Sequence, residues 1–301
     1  MTATANLAGV MIGPGHPVRI LGVINVSPES FYKASVSGKR SVQKTARELE
    51  EKGADFIDIG AMSTAPYLTT AVSEQEEAER IGWAVAAARA ACRLPISVDT
   101  SRPLPAAAGL KAGADILNDI TGLQGGEPIE RIARRCRGVI LMAHPSAYTG
   151  TVFPNPVLTV KKILSGALKR AAKAGLHGDR VLIDPGIGFF RNTHIDWWQW
   201  DLAILRSLRQ IAAMPAPVMV GVSRKSFVSQ LLDNRPPEER LFGSIGATVT
   251  AVLNGAAVVR THDVAETRDA VRVAQAIQVE RVSFRGTDGV RKAVPVRATR
   301  R

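Results

Sequence analysis

Cysteine is scarce: Cys92 and Cys136 are the two in 301 residues. Two thiols this far apart make neither a disulfide framework nor a zinc pattern, and each falls in a segment that reads as helical, so both are expected to be plain thiols in a reducing cytoplasm. Long apolar runs are also missing. None reaches the length that spans a bilayer, and residues 1–15 lack the basic start and apolar centre of a secretory signal, which points to a soluble, intracellular chain with no membrane partner. Acidic residues are the minority, 27 against 39 Lys and Arg, for a net charge of +12. Such an excess invites nucleic acid through phosphate contacts. Its distribution argues against that partner. The surplus sits at helix ends (Arg131, Arg134, Arg135, Arg137) and in the tail 281–301, with no basic, aromatic-interleaved strand on which bases could stack. A solvated basic surface, or a site for phosphorylated substrates, accounts for it.

What the chain does have is alternation. Short apolar, β-branched runs at 19–25, 55–60, 96–99, 115–119, 138–143, 180–185, 218–223 and 256–261 predict strands. Amphipathic stretches at 41–52, 74–92, 103–112, 128–135, 160–174, 197–214, 238–253 and 264–278 predict a helix after each. Gly53, Gly113 and Gly255 stand at helix-to-strand joins, where a left-handed cap is needed. Eight βα units with strands buried on both faces predict a closed α/β (β/α)₈ TIM barrel, a single domain over 19–280, with an N-terminal extension 1–18 and a basic C-terminal tail 281–301.

A barrel of this kind places its chemistry where strands end and βα loops begin. Those positions carry Asn25, Ser63, Thr64, Asp99, Asn118, Asp119, His144, Asp184, Ser223, Arg224, Lys225, Arg260, His262 and Asp263. The opposite strand ends carry mostly Gly, Ala and Pro. Arg224 and Lys225 leave a buried strand toward a helix starting near Ser226, a favourable place for an anionic or polar ligand. Asp99 could instead cap the helix ahead of Ser101-Arg102-Pro103, and Trp197, Trp198 and Trp200 could pack the core or line an entrance.

The strand-end segments LGVINVSPESF (21–31), GADFIDIGAMSTAP (53–66), ISVDT (96–100), GADILNDITGL (113–123), LMAHP (141–145), LIDPGIGF (182–189), VGVSRKSF (220–227) and VVRTHDV (258–264) resemble, in order, the motifs of the dihydropteroate synthase and pterin-binding family. The resemblance implies a transferase that joins a pterin pyrophosphate to an aromatic amine. It implies pterin contacts from Asp99, Asn118, Met142, Asp184, Lys225 and Arg260, with the buried Asp184 carboxylate accepting from the donor edge of the ring and the Arg260 guanidinium stacked on its face. The pyrophosphate would lie against Asn25, Thr64, Arg260 and His262, with Mg²⁺ held by Asn25. Ser63, Thr64, Phe189 and Ser223 would border the amine. Lys225, Arg260 and His262 would be the catalytic groups, positioning substrate and stabilising the departing charge.

Two loops depart from the family pattern. The second reads Met62-Ser63-Thr64-Ala65-Pro66-Tyr67 where the family has Glu-Ser-Thr-Arg-Pro-Gly, and the first reads Tyr32-Lys33-Ala34-Ser35 where Ser-Asp-Gly-Gly is usual. An absent arginine at Ala65 and a lysine at Lys33 leave two amines open: 4-aminobenzoate, or the phosphorylated ribofuranosylaminobenzene of the tetrahydromethanopterin-type enzymes. A non-catalytic pterin-binding paralogue or a pterin-dependent methyltransferase is the alternative class. Against both stand Lys225, Arg260 and His262, on the pyrophosphate side. The helix near 238–253 and the last helix resemble the face through which related synthases form a homodimer.

Overall fold

The computed structural model describes residues 3–27, 39–63, 72–148 and 155–278. Eight parallel strands, β3 (Arg19–Asn25), β4 (Phe56–Gly60), β5 (Ile96–Asp99), β6 (Ile116–Asp119), β7 (Gly138–Met142), β8 (Val181–Asp184), β9 (Val218–Gly221) and β10 (Ala256–Thr261), close into a barrel in sequence order, with β10 returning to β3. Around them run α1 (Lys39–Glu51), α2 (Glu74–Arg89), α3 (Pro103–Ala112), α4 (Glu127–Ala133), α5 (Pro156–Lys173), α6 (Trp197–Arg206), α7 (Leu208–Ala212), α8 (Ser226–Leu231), α9 (Leu241–Leu253) and α10 (Val264–Gln278). The predicted strands all appear, trimmed by a residue or two where the ladder ends.

The helix predicted at 197–214 is broken. Ser207 (φ −106°, ψ 16°) leaves the helical region between α6 and α7, and that turn seats Leu208 and Ile211 in the core together with Ile204 and Leu205. The helix predicted from 238 starts at Leu241, because Pro237–Glu239 forms a separate 3₁₀ turn. Gly113 caps α3 at φ +107°, and Gly53 and Gly255 are likewise at positive φ.

The extension before the barrel is ordered at 5–12. β1 (Ala5–Leu7) and β2 (Val10–Ile12) form an antiparallel hairpin whose turn is held by Gly9 N–H donating to Asn6 Oδ1 at 2.8 Å. Three-residue strands are too short to show a period in sequence. The hairpin closes the floor of the barrel: Ala5, Leu7 and Ile12 join Leu21, Phe56, Ile116, Ile140, Leu182, Met219 and Val258 in one buried cluster. A Cβ on Gly138 would come within 2.5 Å of Leu7 Cγ, so the glycine opening β7 makes room for the plug.

Because side chains along a strand alternate between faces, the residue two positions after each floor residue points into the barrel one layer higher. From Leu21, Phe56, Ile116, Ile140, Leu182, Met219 and Val258, that step reaches Val23, Asp58, Asn118, Met142, Asp184, Gly221 and Arg260. A polar layer thus sits on an apolar floor, at the mouth where the strands end.

Candidate active site

The centre of the layer is an ion cluster. Arg260 Nε donates to Asp58 Oδ2 at 2.7 Å and Arg260 Nη2 to Asp99 Oδ2 at 2.9 Å, while Asn118 Nδ2 donates to Asp58 Oδ2 at 3.2 Å. Asp58 is wholly buried. Its role was not visible in the motif pattern; the signal was a lone carboxylate inside an apolar strand at inward-facing register. Asp58 Oδ1 and Asp99 Oδ1 are buried acceptors with no hydrogen-bond partner among the described residues. Burial lifts Asp99 to about 7, with Arg260 pulling the other way and Asp58 adding to the rise. Burial works against the Arg260 charge, yet Asp58 and Asp99 together push its pKa above the ordinary arginine value. Asp99 does not cap α3: the N-cap is Arg102, with no side-chain cap bond, and Arg102 N–H donates to Thr100 Oγ1 at 3.2 Å.

Asp184 ends β8 beside Met142, its register partner on β7. It is nearly buried, and Oδ1 accepts from Gly186 N–H at 2.7 Å. Gly186 has φ +71°, and a Cβ there would collide with Ala143 O, so this turn demands glycine. Burial raises the Asp184 carboxyl, offset first by Lys225. Lys225 Nζ donates to Ile187 O and lies 5.1 Å from the centre of the Phe189 ring, which makes a T-shaped contact with the His144 ring at 6.1 Å between centroids. Burial pulls the Lys225 ammonium down, against the pull of Asp184 and Asp201.

At the next two strand ends, Ser223 Oγ and His262 Nδ1 lie 2.9 Å apart, and His262 N–H donates to Ser223 Oγ at 3.2 Å. Burial and the cations Arg260, Arg224 and Lys225 drive His262 down to about 3, so its imidazole is neutral. Arg224 overturns its sequence expectation. It is buried with φ +56°, it chelates Asp263 at 2.9 and 2.7 Å, and its Nη1 donates to Pro237 O and Glu238 O. With those donors engaged it braces the loop before α9, and α8, at six residues, has too short an axis to add much of a dipole.

Asn25 closes β3, and a Cβ on Gly60 would lie 3.5 Å from Asn25 Oδ1 and 3.8 Å from Asp99 Cβ, which places the carboxamide beside the ion cluster. Ser63 is half-buried just beyond β4. Thr64, Ala65 and Lys33 lie outside the described residues. Of the tryptophans, Trp200 is buried and stacks on Phe190 at 4.8 Å, and Trp197 carries the Arg191 guanidinium 3.8 Å from its ring centre. Both belong to the packing of α6.

A (β/α)₈ barrel with three carboxylates, an amide, a lysine and an arginine turned into its mouth defines a class, and sequence comparison places the chain within it. The chain belongs to the pterin binding enzyme family, whose profile matches residues 21–262. Its relatives are dihydropteroate synthases. The one from Escherichia coli K12 is 34% identical over 274 residues, covering 89% of this chain and 94% of that protein. The Coxiella burnetii dihydropteroate synthase solved with pteroic acid superposes with a TM-score of 0.80 at 36% identity, covering 92% of this chain and 98% of that one. The Xanthomonas albilineans dihydropteroate synthase solved with 4-aminobenzoic acid gives 0.81 at 32% identity, covering 92% and 99%.

Proposed function

We propose that the chain condenses 6-hydroxymethyl-dihydropterin pyrophosphate with an aromatic amine and releases pyrophosphate, the reaction of a dihydropteroate synthase. The observation that carries this is the pair of buried acceptors at the mouth, Asp58 Oδ1 and Asp99 Oδ1, which lack donors among the described residues, on the strand ends of the same barrel mouth as Asp184. A pterin edge is rich in N–H donors, and buried acceptors demand them.

In this scheme Asp184 accepts from the donor edge of the ring, Asp99 and Asn118 meet further ring atoms, Lys225 donates to the ring, and Met142 lines its side. Arg260, anchored by two carboxylates, offers its guanidinium plane to the ring face. The bond between the pterin methylene carbon and the pyrophosphate oxygen breaks, its electron pair leaving with the diphosphate. The amine nitrogen then bonds to that carbon and loses a proton. Asn25, Thr64, Arg260 and His262 hold the departing diphosphate, whose growing charge their donors stabilise. Ser63, Thr64, Phe189 and Ser223 border the amine.

No group of three or more His, Cys, Asp or Glu side chains fit to hold a metal occurs among the described residues. One carboxamide oxygen, that of Asn25, suits a magnesium ion kept mainly by phosphate oxygens and water, and such an ion would neutralise diphosphate charge. A cytoplasmic location and a homodimer formed through α9 and α10 belong to the same proposal; among the described residues no helix is long and apolar enough to cross a membrane.

The test is turnover. Purified protein supplied with pterin pyrophosphate and Mg²⁺ is expected to release one pyrophosphate per amine coupled, with 4-aminobenzoate or the phosphorylated ribofuranosylaminobenzene identifying the amine. Calorimetric pterin binding without pyrophosphate release on adding either amine would instead make the protein a binder.

A further inference from the structure

Asp201 lies on α6, away from the strand ends that build the rest of the site, and is fully buried. Its Oδ1 accepts from Gly188 N–H at 2.8 Å, and its Oδ2 has no hydrogen-bond partner among the described residues. The carbonyl of that same peptide group, Ile187 O, accepts from Lys225 Nζ. One peptide unit therefore has an ammonium at its oxygen and a carboxylate at its N–H, so both hydrogen bonds are charge-assisted and each polarises the other. The surrounding turn is tight. Arg191 Nε donates to Gly188 O at 3.1 Å, and a Cβ on Gly188 would stand 3.2 Å from Lys225 Cδ.

Holding one amide needs only a neutral acceptor, and an asparagine or serine would supply it without the desolvation cost of a buried carboxylate. That cost is visible here: burial lifts Asp201 to about 6, with the Gly188 N–H, Lys225 and Arg191 opposing. The charge therefore needs its own explanation, and Lys225 across the peptide provides one.

We propose that Asp201 is a positioning residue for the reaction, fixing the Lys225 ammonium against the pterin through the Ile187–Gly188 peptide and supporting its charge. This rests on the pterin-binding function set out above. The charged groups acting on Lys225 are Asp184 on β8, Arg260 on β10, Arg191 in the turn and Asp201 on α6, and the titratable His262 after β10, neutral here, also feels the Lys225 charge. Two anions thus oppose burial and two cations. With Asp201 neutralised, Asp184 is the one anion of this group left to hold the proton on Lys225, and the ammonium deprotonates at lower pH.

Asp201→Asn keeps the shape and the acceptor for Gly188 N–H while removing the charge. Its KM for pterin pyrophosphate is expected to rise about tenfold, the worth of one charge-assisted contact. The alkaline limb of its kcat/KM profile moves to lower pH, KM for the amine stays unchanged, and Asp201→Glu restores the limb. Should the asparagine variant not fold, Asp201→Ser makes the same comparison. Wild-type pterin KM together with a wild-type profile in the neutral variant would overturn the proposal and leave Asp201 a packing residue of α6. A wild-type protein that neither binds nor turns over pterin pyrophosphate would overturn the functional assignment instead, before any variant is compared.

Discussion

His262 shows how burial and neighbours set the chemistry of one residue. Desolvation and three cations hold it at about 3, far below a free imidazole, so near neutrality it acts as a hydrogen-bonding group and not as a cation. Between about 3 and the unfolded value the unfolded chain binds the proton and the folded one does not, so His262 contributes stability above that window and loses it as pH falls through it. A diphosphate beside the ring opposes all three cations. The expected outcome is that the His262 ring signals in an NMR titration stay constant between about pH 5 and 8 in the free protein and begin to titrate there once pyrophosphate is added. Constant signals with pyrophosphate bound would place the anion elsewhere. Asp58 and Arg224 carry a related lesson. In the sequence Asp58 is one carboxylate inside an apolar strand and Arg224 one of two cations beside a helix start; the contacts that define them join β4 to β10 and the loop after β9 to Asp263. Spacing along the chain cannot reveal such pairs.

At the scale of elements, the β1–β2 hairpin supports the site from beneath. Leu7 is 1% exposed and packs into the floor cluster directly below the layer of Asp58, Asn118 and Asp184. Leu7→Ala is expected to lower unfolding free energy by about 2–5 kcal/mol, as large-to-small changes in a dense core do. Denaturant melts measure it; a loss under about 0.5 kcal/mol, the size of a surface substitution, would mean the hairpin is not part of the cooperative core. The barrel elements were legible because both faces of each strand are buried and each helix has one apolar face, patterns that survive without tertiary knowledge. The hairpin and the break at Ser207 were not, since three residues carry no period and the break is set by what α6 and α7 pack against.

For the whole molecule, the surface of α9 and α10 stands out. Phe242 is 84% exposed, Val273 60% and Ile277 71%, three apolar side chains at the border of one groove. A second copy of the chain covering this face would remove them from water, and aromatic anchors dominate such contacts. For the proposed homodimer, Phe242→Glu is expected to shift the sedimentation coefficient to that of a monomer in analytical ultracentrifugation without changing the far-ultraviolet circular dichroism. An unchanged sedimentation coefficient would exclude this face as the interface.

Alone, the sequence determined the eight βα units and which polar residues stand at the strand ends, because burial periodicity and strand-end position are local properties of a chain. Only the tertiary structure decided which charges meet: Arg260 with Asp58 and Asp99, Arg224 with Asp263, and Lys225 with Asp201 through one peptide. Those partners stand on different strands and helices, so their distances, and the desolvation that sets their protonation, come into being when the barrel closes.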